Sequence, residues 1–260
     1  AVLVAGDVFD AQTVSDRTIR RVFNATKGFA GPWVMLPGNH DAALAESVWT
    51  RAQRLGAVPE NVYLALQPGV IDLEPQGLSI LCAPLTQRHT YGDLTEPFSG
   101  YETPEGFPRV GLAHGSVQGL LPDEIDSTNP IAPDRAGASR LDYLALGDWH
   151  GTKQIDERTW YSGTLEPERF RNNEAGNALI VEVSAPGATP KVTSLPTGRY
   201  QWHQWRETLA VQSDLEQLLE RLNALPESAV VDLRLEGSVT LAGEETLLKA
   251  LSVAEARFRS

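Results

Sequence analysis

Four short clusters in this chain gather residue types that hold divalent cations: Gly6-Asp7-Val8-Phe9-Asp10, Gly38-Asn39-His40-Asp41, Ala113-His114-Gly115 and Gly147-Asp148-Trp149-His150-Gly151. Hard and borderline divalent ions take carboxylate, carboxamide and imidazole donors. A glycine beside each candidate lets the backbone pass close to an ion with no side chain in the way. Two cations sharing a carboxylate activate water at neutral pH and clamp the attacking and leaving oxygens of a phosphoryl transfer. Asp7 suits the shared position. Each cluster alone reads as an ordinary loop turn, but the four in this order converge.

The elements around them explain how they meet. Ala1 to Gly6 is a run of small and β-branched residues ending at Gly-Asp, which reads as a buried strand already under way. Ser15 and Asp16 lead into helical spacing at Ile19, Val22 and Phe23, Trp33 to Leu36 is a second strand, and Ala42 to Leu55 is helix-like. Leu78 to Ala83, Val110 to Ala113 and Leu141 to Leu146 are further short strands, each followed by a polar loop. Alternation of this kind implies an α/β fold, and open α/β sheets place their sites at the carboxyl ends of strands, where the clusters fall. Beyond Gly151 come Thr159 to Tyr161, Ala178 to Val183 and Lys191 to Leu195, expected as antiparallel strands completing a second sheet. From Arg199 the pattern is strand (201–206), amphipathic helix (214–225), strand (230–235) and a helix from Glu244. The stretch Glu96 to Pro108 reads as an exposed loop.

Composition narrows the class. The 260 residues, 42% hydrophobic and 22% charged, fit a folded protein and not a disordered or fibrous one. No run approaches the roughly 18 apolar residues of a membrane span, and no signal peptide is visible, so the expectation is a soluble, cytoplasmic protein. The lone Cys82 cannot form an intrachain disulfide or a thiolate metal site and reads as a buried, inert thiol. With 22 Lys+Arg against 34 Asp+Glu, the formal charge of −12 argues against holding nucleic acid by bulk electrostatics but leaves room for a local basic groove.

In ordered combination the clusters resemble the calcineurin-like metallophosphoesterases, whose signature is Asp-x-His, Gly-Asp, Gly-Asn-His-Asp/Glu, a strand-end His and Gly-His-x-His. The stretch Leu141 to His150, with Tyr161-Ser162-Gly163-Thr164 and Arg169-Phe170, looks like the SbcD type of DNA repair exonuclease subunit. The resemblance implies a four-layer αββα sandwich over residues 1–198 and a small α/β capping domain over 199–260. It also implies two divalent metals, Mn foremost with Mg or Fe as alternatives. Asp7 would bridge them, Asn39 and His114 would bind the second, and His150 the first. His40 would stabilise the transition state or protonate the leaving oxygen, and Asp41 would orient it. Asp148 stands where the family has its penultimate histidine; a carboxylate there still suits a metal and favours harder ions. The initial Asp-x-His is absent and would lie on a strand preceding Ala1, so an N-terminal piece is expected to be missing.

The implied partners are DNA, a second copy of the chain and an ATPase of the SbcC or structural-maintenance type, with no membrane and a place near the nucleoid. Arg169 and Arg171, and His89 in the loop after Pro84, are candidates for touching substrate, with surface charge and a solvated loop histidine as the plainer alternatives. Asp10 reads as a turn or helix-start carboxylate and His203, between Trp202 and Trp205, as packing. Two other functions share these residues: a phosphodiesterase or phosphatase for a small molecule such as a cyclic nucleotide, and a non-catalytic scaffold with a degenerate metal site.

Overall fold

The opening apolar run forms strand β1 (Val2–Ala5) in the computed structural model, which describes residues 1–119, 128–170 and 173–258. Helix α1 (Asp16–Ala25), β2 (Trp33–Leu36), α2 (Val48–Arg54) and β3 (Val62–Leu64) follow. The three strands lie parallel in the order β1-β2-β3. Ser15 caps α1 by accepting from the Thr18 N–H, and Ile19 and Phe23 are its buried face. The second helix is shorter than its apolar spacing suggests. Ser47 and Thr50 form a reciprocal capping box that starts it at Val48, while Ala43 N–H donates to the Leu85 carbonyl and keeps residues 42–46 out of the helix.

A second, mixed sheet is built from β4 (Gly69–Leu73), β5 (Leu78–Ala83), β6 (Arg109–His114), β9 (Tyr143–Gly147), β10 (Lys153–Gln154) and β11 (Thr159–Tyr161), in the order β10-β11-β9-β6-β5-β4. Its inner strands β5, β6, β9 and β11 are parallel, and the edges β4 and β10 run antiparallel to their neighbours. Between β6 and β9, the short strands β7 (Ser116–Val117) and β8 (Pro130–Ile131) pair with each other, ahead of helix α3 (Arg135–Ala138). Strand β11, expected to be antiparallel, lies parallel to β9. The strands β12 (Asn177–Glu182) and β13 (Lys191–Pro196) form a separate two-stranded sheet. Alternating runs do not specify a strand's partner, which explains both differences.

Val34 and Leu36 of the first sheet pack with Ile80, Cys82 and Leu112 of the second, and α1 and α2 cover the outer face of the first over Phe23, Met35 and Trp49. The far face of the second sheet is covered differently from the helical layer expected of an αββα sandwich. Phe98 and Ala136 pack there on Leu144 and Tyr161, but among the described residues they come from a 3-10 turn (Glu96–Gly100) and the four-residue α3. Pro97, Pro104 and Pro108 remove the N–H donors a longer helix needs.

By internal contacts the chain forms two units, Ala1–Gly163 with Ala178–Leu195, and Thr164–Asn177 with Pro196–Ser260. In the second, β14 (Gln201–Leu209) and β15 (Ala229–Gly237) pair in parallel over their whole length. Helices α4 (Gln212–Ala224) and α5 (Leu241–Arg257) bury Leu215, Leu218, Leu222 and Leu247 with Leu209 and Trp205. The His203 ring lies 5.8 Å from that of Trp205, tilted 59° to it, in a packing position. Among the described residues no helix is long and apolar enough to cross a membrane.

Candidate active site

The ends of β1, β2, β6 and β9 bring Asp7, Asn39, His114 and Asp148 to one point in the first unit. His114 is the centre. Its side chain is 1% exposed, and its Nδ1 lies 2.8 Å from the Ala5 carbonyl oxygen. A carbonyl only accepts, so Nδ1 carries the proton and Nε2 presents a lone pair. That lone pair faces Asp7 Oδ2 at 3.5 Å and Asp148 Oδ1 at 3.7 Å. The Asn39 amide lies 3.0 Å from Nε2; with its NH2 turned inward it donates to both Nε2 and Asp7 Oδ2. Ser116 Oγ donates to Asp148 Oδ2 at 3.1 Å and fixes the second carboxylate.

The backbone is bent to reach this arrangement. Asp7 has φ +51° and Asp148 φ +102°, with Gly6 at +91° beside the first. Non-glycine residues pay about 1–3 kcal/mol each for such conformations, and the two sit where the carboxylates converge. A Cβ on Gly6 would fall 2.1 Å from His114 Nδ1, and one on Gly38 2.2 Å from Asp7 Oδ1. Only glycine allows the two loops and the imidazole to come this close.

His40 sits beside this group. Its backbone N–H donates to Asp7 Oδ1 at 3.0 Å, and its Nδ1 lies 3.1 Å from the Asp10 carbonyl oxygen and 3.7 Å from Asp10 Oδ1. With Nδ1 so engaged, Nε2 is the working nitrogen of a ring that is 45% exposed. The expected orienting role of Asp41 is corrected here. The Asp41 carboxylate is fully buried and accepts from the N–H groups of Phe9 (3.1 Å) and Gly38 (2.7 Å), tying the β1 and β2 loops together. The residue that meets His40 is Asp10, and its spacing three residues after Asp7 was the only signal for it.

Burial pushes the Asp41 carboxyl up from 3.8 to about 6, against the two N–H bonds, with nearby Asp7 adding to the rise. An acid whose pKa rises on folding holds its proton more tightly in the folded state. Its contribution is therefore most favourable below about pH 4 and is lost as pH climbs through 6. In urea titrations with a chelator present, the stability advantage of the wild type over Asp41→Asn is expected to be about 2 kcal/mol greater at pH 4 than at pH 7. An unchanged difference between the two pH values would contradict this.

His150 lies half-buried in the turn after β9, its carbonyl packed near Gly163. His89 is exposed, with Nδ1 3.2 Å from the Thr128 hydroxyl. Arg169 is an exposed residue of the second unit, and Arg171 lies outside the described residues. Cys82 is buried and its thiol pushed up to about 12 by desolvation, consistent with an inert side chain.

The family model for calcineurin-like phosphoesterases matches residues 1–130. The chain belongs to this family. The match takes in Asp7, Asn39, His40 and His114, whereas Asp148 and His150 lie beyond it. No curated protein matches the chain. Calcineurin-like phosphoesterases are metal-dependent hydrolases that generally hold two divalent ions. Among the described residues no group of three or more His, Cys, Asp or Glu is placed so as to hold a metal ion. What is present is a partial donor set. Two carboxylates, a carboxamide and an imidazole are the donor types a divalent ion takes, and they would serve one here once the Asn39 amide turned its oxygen inward and freed His114 Nε2.

Proposed function

We propose that this phosphoesterase hydrolyses DNA phosphodiester bonds as the nuclease subunit of a repair complex, paired with an SbcC-type ATPase and with a second copy of itself. In this reading residues 1–198 are the nuclease domain and 199–260 a capping domain. Asp7, Asn39, His114, Asp148 and His150 would hold the two metals, Mn foremost, which when bound would supply an activated water and charge neutralisation at phosphorus. The observation that carries the reading is His40, held at its backbone by Asp7 and at Nδ1 by the Asp10 carbonyl. With Nδ1 on the Asp10 carbonyl, Nε2 is the ring nitrogen left to carry a proton to the departing oxygen. The subfamily rests on the sequence of Leu141 to His150 and of Tyr161 to Phe170.

Linear duplex, single-stranded DNA and a cyclic nucleotide, each assayed with Mn, separate the readings. Cleavage of DNA is expected, with His40→Ala slowing it about 100-fold or more while Mn binding persists. Hydrolysis of the cyclic nucleotide with DNA left intact would replace this reading with a small-molecule phosphodiesterase. The formal charge of −12 favours that second reading, because it opposes a polyanionic substrate away from the metals.

A further inference from the structure

The second unit carries an open groove of about 900 Å³ whose makeup differs from the site above. Three aromatic rings line it, Phe170, Tyr200 and Trp202, together with three carboxylates, Glu166, Glu168 and Asp232, and with Val230 and Val231. Phe170 and Trp202 meet edge to face at 4.8 Å. Glu166 accepts the backbone N–H groups of Arg199 and Tyr200, which fix it in place. Asp232 accepts from Gln204 Nε2 at 2.8 Å and is 3.8 Å from Arg234 Nε. Arg199 lies over Tyr200 at 5.8 Å, one guanidinium already seated on a ring of this wall.

We propose that this groove docks a basic peptide segment of a partner protein, with an arginine or lysine side chain set against the Phe170–Trp202 pair and facing Glu168 and Asp232. Aromatic faces attract cations through their quadrupole, most strongly where carboxylates add charge and water is partly excluded. Among the described residues the lining includes three carboxylates and no Lys or Arg, so a nucleic acid would bring phosphates against carboxylates. A second copy fits poorly as well, since 34 acidic against 22 basic residues leave it acidic. The inference concerns the second unit and stands apart from the nuclease reading, because its test reads binding and not hydrolysis.

Calorimetric titration with a capped Arg-Leu-Arg-Leu-Arg peptide at about 100 mM salt tests it, beside the same peptide carrying glutamine for arginine. The arginine peptide is expected to bind and the glutamine peptide to bind at least tenfold more weakly. Glu168→Gln/Asp232→Asn should weaken arginine-peptide binding at least tenfold with an unchanged circular dichroism spectrum. A pair of equal charge change in the first unit, Glu60→Gln/Glu105→Gln, should leave it intact. Equal loss in that control pair, equal binding of the glutamine peptide, or displacement of the peptide by a single-stranded oligonucleotide would each overturn the proposal.

Discussion

Asp7→Ala is expected to lower Mn affinity more than about 100-fold and to abolish measurable hydrolysis of a generic phosphodiester such as bis(p-nitrophenyl) phosphate. Losing even an indirect partner of a metal ligand costs 10- to 100-fold, and Asp7 is at the centre of the donor set. Its Oδ2 lies 3.5 Å from His114 Nε2, and its Oδ1 holds the His40 N–H at 3.0 Å, so one substitution removes a donor and releases His40. The fold should respond differently. In the metal-free protein the Asp7 charge helps to raise the buried Asp41 carboxyl while its Oδ1 accepts the His40 N–H, so the two losses oppose each other and the melting temperature is expected to move little. Added Mn should raise the melting temperature of the wild type and not of the variant. A variant that binds Mn normally would show that Asp7 is misassigned.

The largest effect on stability is expected from Gly147→Ala. A Cβ there would lie 1.7 Å from the Ala5 carbonyl oxygen, 2.8 Å from the Ala5 carbonyl carbon and 2.9 Å from His114 Nδ1. The first two are backbone atoms of the facing sheet and cannot swing away, so the two sheets would have to part. Overpacking of buried sites costs about 1–3 kcal/mol and sometimes more; here about 3 kcal/mol or more is expected, read as a fall of roughly 10 °C in melting temperature. Gly28→Ala is the control, since nothing lies within 4 Å of its added Cβ, and it should shift stability by less than about 1 kcal/mol. Similar melting temperatures for the two variants would mean that the sheets do not approach as closely as described.

The strand-end clusters were legible because a buried parallel strand must end where its carbonyl-terminal loop meets solvent, and a Gly-Asp or Gly-Asn-His at that point announces itself. Asp7, Asn39, His114 and Asp148 meet for that reason. Local sequence did not reveal which carboxylate faces which imidazole. Asp41 adjoins His40 in sequence, yet its side chain turns inward to Phe9 and Gly38, because the two loop N–H groups there would otherwise be buried unpaired. Asp10 lies 30 residues from His40 and reaches it by way of the loop leaving β1. Strand partners were hidden for a similar reason, since the apolar run of β11 is compatible with either direction and only the neighbouring β9 decides it.

The bond from His114 to the Ala5 carbonyl crosses from one sheet to the other. Asp7 and Asn39 therefore ride on the first sheet and His114 and Asp148 on the second, with the interleaved side chains of Leu36, Ile80 and Leu112 as the packing that sets their separation. The site works as a gauge of that spacing. A change deep in the packing, such as Leu112→Ala, is expected to shift Asp7 and Asn39 against His114 and Asp148 although it touches none of them, and a cation held by residues of both sheets would in return tie the two together.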